Sequence, residues 1–248
     1  MNLKVATYNI SHCQDMSVNH NDDAPVDITK MAELIKDFDA DIVSLNEVYM
    51  KSSNEDFNEQ AEKIIKITEH PYFTQALGED LGWTIIGNAV LSRLPILDTF
   101  EVHIPAPTED EKRPGENDWY EDRVVLCVKL QAENSEILVI ATHFGLNPLE
   151  QERIVKAVCD VVDNAQTPVI LMGDFNALPH CEALAPIYER LTSCADVKEN
   201  TDYTFASFAP DRTLDYIFVS NGIEIEDFKV RYDILSDHRP CVAEIKLL

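Results

Sequence analysis

The chain has 248 residues, with 45 Asp and Glu against 20 Lys and Arg and a formal net charge of -25. That balance argues against broad, nonspecific binding to nucleic acid or an anionic membrane, which rests on basic patches, and leaves room only for a local basic pocket. At 45% hydrophobic and 26% charged, the chain is globular rather than disordered and long enough for a sizeable core.

In chain order, Leu3 to Tyr8 reads as a buried strand that begins almost at the N-terminus, with no apolar leader segment. Ile28, Met31, Ala32, Ile35 and Phe38 share one helical face behind a candidate N-cap, Asp27. Ile42 to Leu45 is a second buried strand. A helix follows on Phe57, Ala61, Ile64, Ile65 and Thr68. Strands are predicted at 72–76, 84–86, 90–92, 96–104, 124–130 and 137–142. A helix opened by Pro148 carries Ile154, Val155, Val158, Val161 and Val162. After it come a strand at 169–172, a short helix at about 182–191, and strands at 214–219, 223–230 and 241–246.

These are too many strands for one doubly wound sheet and too many helices for a plain sandwich. The expected fold is therefore α/β (α+β), with two packed sheets and helices outside them. No repeat or Pro/Gly/Ser linker divides the chain, so a single domain over 1–248 is expected. The one long polar loop, Glu109 to Asp122, holds seven acids, Lys112, Arg113, Trp119 and Tyr120, which suits either a binding loop or a solvated insertion. Six cysteines form no Cys-x-x-Cys pair, and Cys127 and Cys159 fall in apolar periodic segments. Reduced thiols in a cytoplasmic protein are the expectation. No stretch approaches the roughly 18 apolar residues of a membrane span.

Polar residues at the ends of buried strands carry the chemistry. Asn9 follows Val5 to Tyr8, Glu47 follows Ile42 to Asn46, and His143 follows Ile137 to Thr142. Asp174 and Asn176 follow Val169 to Gly173, Asp215 opens Leu214 to Val219, and Asp237 and His238 precede the last strand. If those ends meet, four carboxylates share a pocket and repel one another, which protons or a cation must relieve. Carboxylate and amide oxygens are hard ligands, so Mg²⁺, Mn²⁺ or Ca²⁺ suits them better than zinc.

In this order the motifs resemble the endonuclease/exonuclease/phosphatase superfamily, the deoxyribonuclease-I-like fold. The matching stretches are Thr7-Tyr8-Asn9-Ile10, Asp41 to Val48, Gly87 to Arg93, Thr142-His143-Phe144, Gly173-Asp174-Phe175-Asn176, Leu214 to Phe218 and Ser236-Asp237-His238-Arg239-Pro240. The resemblance implies a four-layer sandwich of two mainly antiparallel sheets with helices on both outer faces. It also implies Mg²⁺- or Mn²⁺-dependent cleavage of a phosphate ester. By position, Glu47 resembles the main metal ligand, supported by Asn9 and Asp237. Asp174 resembles the residue that orients and deprotonates the attacking water, and Asn176 the one that holds that water or a phosphoryl oxygen. Asp215 would orient His238, while His238 and His143 would donate to phosphoryl oxygens. Arg123 stands where related small bacterial proteins have a basic residue facing the phosphate. Asn88, a polar interruption after Thr84 to Gly87, fits a substrate contact or a turn. Arg93 reads as structural.

The DNA-repair branch of the superfamily has an Asp two residues after the first Asn, where this chain has Ser11, and it has basic loops where this chain is acidic. The expected substrate is therefore a phosphodiester in a small molecule or lipid headgroup. A nuclease is the alternative, with Lys112, Arg113, Arg123 and Arg212 as its candidate basic face. A catalytically silent binding module is the rival from another class, disfavoured because every expected acid, amide and imidazole is present.

Overall fold

The computed structural model describes residues 1–248 apart from positions 22, 117, 118 and 134. Its strands are β1 (Asn2–Asn9), β2 (Ile42–Lys51), β3 (Tyr72–Asp80), β4 (Ile85–Ser92), β5 (Ile96–Ile104), β6 (Arg123–Ala132), β7 (Ser135–His143), β8 (Val169–Asp174), β9 (Thr192–Ser193), β10 (Asp215–Val219), β11 (Ile223–Val230) and β12 (Cys241–Leu247). The helices are α1 (Ile28–Asp37), α2 (Gln60–Thr68), α3 (Pro148–Asn164), α4 (Ala185–Tyr188) and α5 (Cys194–Val197).

Two six-stranded sheets form, in the orders β11-β12-β1-β2-β4-β3 and β5-β6-β7-β8-β10-β9. Each has one parallel pair at its centre, β1 with β2 and β7 with β8, flanked by antiparallel neighbours. A parallel pair needs a crossover, usually a helix. Here α1 and α3 supply the two crossovers.

The layers follow from strand alternation. In β6, Val124, Leu126, Val128 and Leu130 face the core between the sheets, while Val125 and Cys127 face α3. In β1, Leu3 and Val5 face the same central core, while Ala6 and Tyr8 pack with Met31, Ile35 and Ile64 of α1 and α2. Central strands buried on both faces read as continuous apolar runs. The four layers are thus α1 and α2, the first sheet, the second sheet, and α3 with α4, as the resemblance implies.

The crossover helices begin where the sequence marks them. The Asp27 side chain accepts from Lys30 N at 2.9 Å. At α3 a capping box joins Asn147 and Glu150, with Pro148 in the first turn. The predicted helix at 182–191 instead divides into a 3-10 turn at Glu182–Leu184 and the short α4, with Pro186 early in α4. The two strands predicted at 84–86 and 90–92 are one strand, β4, so Asn88 lies in mid-strand rather than in a turn. All six cysteines are unpaired, and only Cys181 is partly exposed. Among the described residues, no helix is long and apolar enough to cross a membrane. The 109–122 loop is pinned to α3 by Arg113, which clasps Glu152 at 2.7 and 2.8 Å, and by Arg153 on Glu111 at 2.5 Å. Positions 117 and 118 of that loop lie outside the described residues.

Candidate active site

The two parallel pairs end side by side. Asn9 pairs with Asn46 in one sheet, and His143 pairs with Asp174 in the other. Asp174 also lies opposite Asp215, the first residue of β10. Ligands of α/β sheets gather at the carboxyl ends of strands, and the candidate residues gather there too.

Local backbone features aim them. The pairing of β2 with β4 shifts between Leu45 and Val48, and within that bulge Glu47 takes φ +56°. A left-handed non-glycine residue costs about 1–3 kcal/mol and persists where its surroundings hold it. A bulge is a common device for re-aiming a side chain. Gly173 has φ +152°, and a Cβ there would stand 1.8 Å from the Thr142 carbonyl oxygen. Only glycine lets β8 approach β7 closely enough to set Asp174 beside His143.

Asp174 is the hub. Its Oδ1 accepts from Asn176 N at 2.9 Å, and its Oδ2 accepts from Asn9 Nδ2 at 3.1 Å. Both His143 Nε2 and His238 Nε2 lie 3.5 Å from Oδ2. Burial, opposed by the charge on His238 and reinforced by Asp215, raises Asp174 to about 7. His238 Nδ1 is 2.8 Å from Asp215 Oδ2. Burial opposes a charge on His238, yet the carboxylates of Asp215 and Asp174 outweigh it and hold its pKa well above the ordinary histidine value.

His143 differs. Burial first, then the charges of Arg123, His238 and His12, push its pKa well below the ordinary value. Arg123 Nη1 lies 3.2 Å from its Nδ1 and Asn176 Nδ2 lies 3.2 Å from its Nε2, both of them donors, and a neutral ring accepts at one nitrogen only; Nε2 faces Asp174 and, at 4.0 Å, Glu47 Oε1. The site therefore holds one charged and one neutral imidazole. Asn176, at φ +45°, donates from Nδ2 to the Phe144 carbonyl at 3.0 Å and lies 3.2 Å from His143 Nε2.

Glu47 Oε1 accepts from Asn9 Nδ2 at 2.8 Å. Asp237 reaches this group indirectly: Ser236 Oγ is 2.7 Å from the Asn9 carbonyl oxygen and 3.1 Å from Asp237 Oδ1. Among the described residues, no hydrogen bond joins Asp237 directly to Glu47 or Asp174. Asn88 spends both ends of its amide inside the protein, accepting from Asn46 Nδ2 at 2.7 Å and donating to the Val124 carbonyl at 3.1 Å. Arg93 lies on the surface against Asp39 at 2.8 Å.

Two residues at the site received no role in the sequence reading. His12 sits on a left-handed turn in which Ser11, His12 and Cys13 have φ of 42°, 54° and 62°. Its Nδ1 donates to the Glu47 carbonyl at 2.9 Å, its Nε2 is 3.4 Å from Glu47 Oε2, and its ring stacks on Tyr49 at 4.1 Å. The only signal was its place three residues after Asn9. Asn46 is the other. Its buried amide bonds Asp174 N, the Thr142 carbonyl and Asn88, and so crosses from one sheet to the other. A polar residue ending the run Ile42 to Leu45 was the visible hint.

The residues fit a divalent cation. Asp174, Asp215 and His238 each offer a ligand atom within 4.8 Å of the others, but an imidazolium already stands between those two carboxylates. The Glu47 side suits an ion better. There the Glu47 carboxylate is a hard oxygen donor, and Asn9 turns its amide nitrogen toward it while its Oδ1 accepts from Ser11 N at 3.0 Å. The Asn9 amide nitrogen donates to both Glu47 Oε1 and Asp174 Oδ2.

The sequence profile of the Endonuclease/Exonuclease/phosphatase family matches residues 6–238. No curated protein matches the chain. Among solved structures, an endonuclease/exonuclease/phosphatase from Beutenbergia cavernae superposes with a TM-score of 0.80 at 23% identity, covering 99% of this chain and 72% of that one. A family protein from Bacteroides vulgatus gives a TM-score of 0.75 at 18% identity and covers 100% of both chains. A mannosyl-6-phosphatase from Bacteroides thetaiotaomicron gives a TM-score of 0.75 at 17% identity, covering 99% of this chain and 100% of that one. At these identities the structures share the fold, whereas the profile spans nearly the whole chain: this protein belongs to the endonuclease/exonuclease/phosphatase family and is a phosphoesterase.

Proposed function

We propose that this site hydrolyses a phosphoester of a small molecule, foremost a phosphodiester in a soluble metabolite or lipid headgroup, by attack of water with Mg²⁺ or Mn²⁺. The observation that carries the reading is the arrangement around Asp174 Oδ2, which has an imidazole nitrogen on either side at 3.5 Å and the Asn9 amide at 3.1 Å.

Glu47, with Asn9 and Asp237, would hold the ion, which when bound supplies Lewis-acid stabilisation at a phosphoryl oxygen. Asp174, with its raised pKa and rigid setting, takes the proton of the attacking water, as a base working near neutral pH should. Asn176 N–H and Asn9 Nδ2 fix the Asp174 carboxylate so that it turns toward the site rather than rotating. His238, kept charged by Asp215, donates to a phosphoryl oxygen as negative charge builds there. His143, neutral and with Arg123 at its Nδ1, would donate from Nε2 to a phosphoryl oxygen.

Nucleic acid is the poorer candidate. The net charge of -25 and the carboxylates of Glu79, Glu121 and Asp122 beside the site oppose a polyanion. The similar fold of a mannosyl-6-phosphatase argues for including monoesters among the substrates tried. The experiment is a panel of phosphodiesters, phosphomonoesters and duplex DNA, each with Mg²⁺ and with Mn²⁺, using Glu47→Ala as control. Release of alcohol or phosphate by the parent and not by the variant is expected. No turnover of any ester under either ion would overturn the reading.

A further inference from the structure

His12 and Glu47 line one recess of about 140 Å³, and His12 Nε2 lies 3.4 Å from Glu47 Oε2. We infer that His12 Nε2 binds the divalent ion together with Glu47, and that this nitrogen selects a first-row transition ion such as Mn²⁺ over Mg²⁺. The inference rests on the function proposed above and adds a ligand and an ion preference to it.

The hydrogen bonds show which ring nitrogen is available. His12 Nδ1 is 2.9 Å from the Glu47 backbone carbonyl, an oxygen that only accepts, so Nδ1 carries a proton. A histidine that ligates a metal through one nitrogen almost always donates the other N–H to a carbonyl, carboxylate or water, which fixes its tautomer and orientation. Here the carbonyl belongs to Glu47 itself, so one residue supplies a carboxylate and orients the imidazole beside it. Among the described residues, Glu47 Oε2 is the one polar partner of Nε2.

The spacing agrees with a shared ion. Two ligand atoms about 2.1 Å from one ion stand roughly 3.0–3.5 Å apart at octahedral to tetrahedral angles. The 3.4 Å between Nε2 and Oε2 falls in that range. Without an ion, a proton on Nε2 occupies the same place, and the ion displaces it, as metal binding to histidine requires.

The surroundings hold the ring there. It stacks on Tyr49 with centroids 4.1 Å apart and planes inclined by 4°. The buried Gln60 amide ties the stacked pair together. Its Nε2 donates to the His12 carbonyl at 2.7 Å, and its Oε1 accepts from Tyr49 N at 2.8 Å. The donor set then favours one kind of ion. Mg²⁺ takes oxygen ligands and keeps several waters. An imidazole nitrogen is a softer donor that suits transition ions.

The test uses the full-length protein with His12→Asn and His12→Gln. Asn tolerates the left-handed backbone at this position and offers an N–H near the place of Nδ1, but it ends short of Nε2. Gln reaches the place of Nε2 with an amide instead of an imidazole. Calorimetry gives the affinities for Mn²⁺ and Mg²⁺, and pulsed EPR of bound Mn²⁺ detects directly coordinated nitrogen. All are read well below the melting temperature of each protein in chelator. The parent should bind Mn²⁺ at least about tenfold more tightly than Mg²⁺ and show nitrogen coupling. His12→Asn should lose about 10–100-fold in Mn²⁺ affinity, far less in Mg²⁺ affinity, and the coupling. His12→Gln should lose the coupling as well. Absence of nitrogen coupling in the parent, or its survival in His12→Asn, overturns the inference. Equal losses for the two ions overturn it too, by making His12 a support for the Glu47 backbone. Turnover with Mn²⁺ that shows no nitrogen coupling leaves the proposed function standing without this inference. Nitrogen-coupled Mn²⁺ with no turnover of any ester does the reverse.

Discussion

The side-chain oxygen of Asn46 accepts a hydrogen bond from the backbone N–H of Asp174 at 3.0 Å. Asn46 belongs to β2 of the first sheet and Asp174 to β8 of the second, so one amide fixes the spacing between the Glu47 half and the Asp174 half of the site. Its nitrogen donates to the Thr142 carbonyl at 3.0 Å and to Asn88. Asn46→Ala leaves buried groups unpaired, each costing about 1–3 kcal/mol. A lower urea midpoint and a fall in kcat larger than the change in KM are expected. An unchanged midpoint would show that Asn46 does not hold the sheets together.

Asp215 keeps His238 charged, since its Oδ2 lies 2.8 Å from Nδ1 and it is the strongest influence raising that pKa against burial. Asp215→Asn should bring the His238 pKa down and lower kcat by about 10²–10⁴, as should Asp174→Asn for loss of the base. Histidine NMR titration alongside kinetics checks both. Near-parental kcat in either variant would remove that residue from the chemical step.

Gly173→Ala should be among the most damaging single changes. The added Cβ would meet the Thr142 backbone, which cannot yield without parting β7 from β8. A loss of roughly 4–5 kcal/mol, the upper range for point substitutions, is expected. Thermal melts of the soluble fraction measure it, and a variant that melts like the parent would mean the two strands can separate freely.

His70 gives a pH signature away from the site. It is buried, with Nε2 donating to the Ala40 carbonyl at 3.1 Å and Nδ1 accepting from Thr68 Oγ1 at 2.9 Å. Burial lowers its pKa, helped by the Arg93 charge and opposed by the Ala40 hydrogen bond and Asp41. In acid the unfolded chain takes up the proton before the folded chain does. The His70 contribution is therefore complete above the unfolded pKa of about 6.5 and is lost as pH falls through the lower folded value. Urea melts should show that His70→Gln loses less stability than the parent between neutral and mildly acidic pH. Parallel losses would exclude His70 as a source of the acid sensitivity.

Chelation of the metal-loaded protein should lower its melting temperature, because an ion at about 100 times its Kd contributes about 2.7 kcal/mol. Glu47→Ala should melt at the same temperature with and without Mg²⁺ or Mn²⁺. A metal-dependent shift that survives in Glu47→Ala would move the ion away from the bulge at β2.

The strand ends were legible because each site residue interrupts or follows an apolar run: Glu47 after Ile42 to Leu45, Asp174 after Val169 to Met172. The bulge that turns Glu47 and the left-handed turn that carries His12 were not, because neither contains the glycine that usually marks positive φ. Asn88 read as a substrate contact or a turn residue because Gly87-Asn88 resembles punctuation, whereas Gly87 is there for a close strand: a Cβ on it would stand 2.0 Å from the Ala76 carbonyl oxygen.

By itself the sequence determined two packed sheets with helices outside them and the set of carboxylates, imidazoles and amides, since apolar period and strand-end polarity are local properties of the chain. Only the tertiary structure decided how those groups divide the work. His143 is neutral and His238 charged because one ring is buried against Arg123 and the other between Asp174 and Asp215. Asn46 became a clamp because the packing of one sheet on the other brings together residues far apart in the chain. Charge state and such contacts depend on distances between strands, and spacing along the chain does not encode those distances.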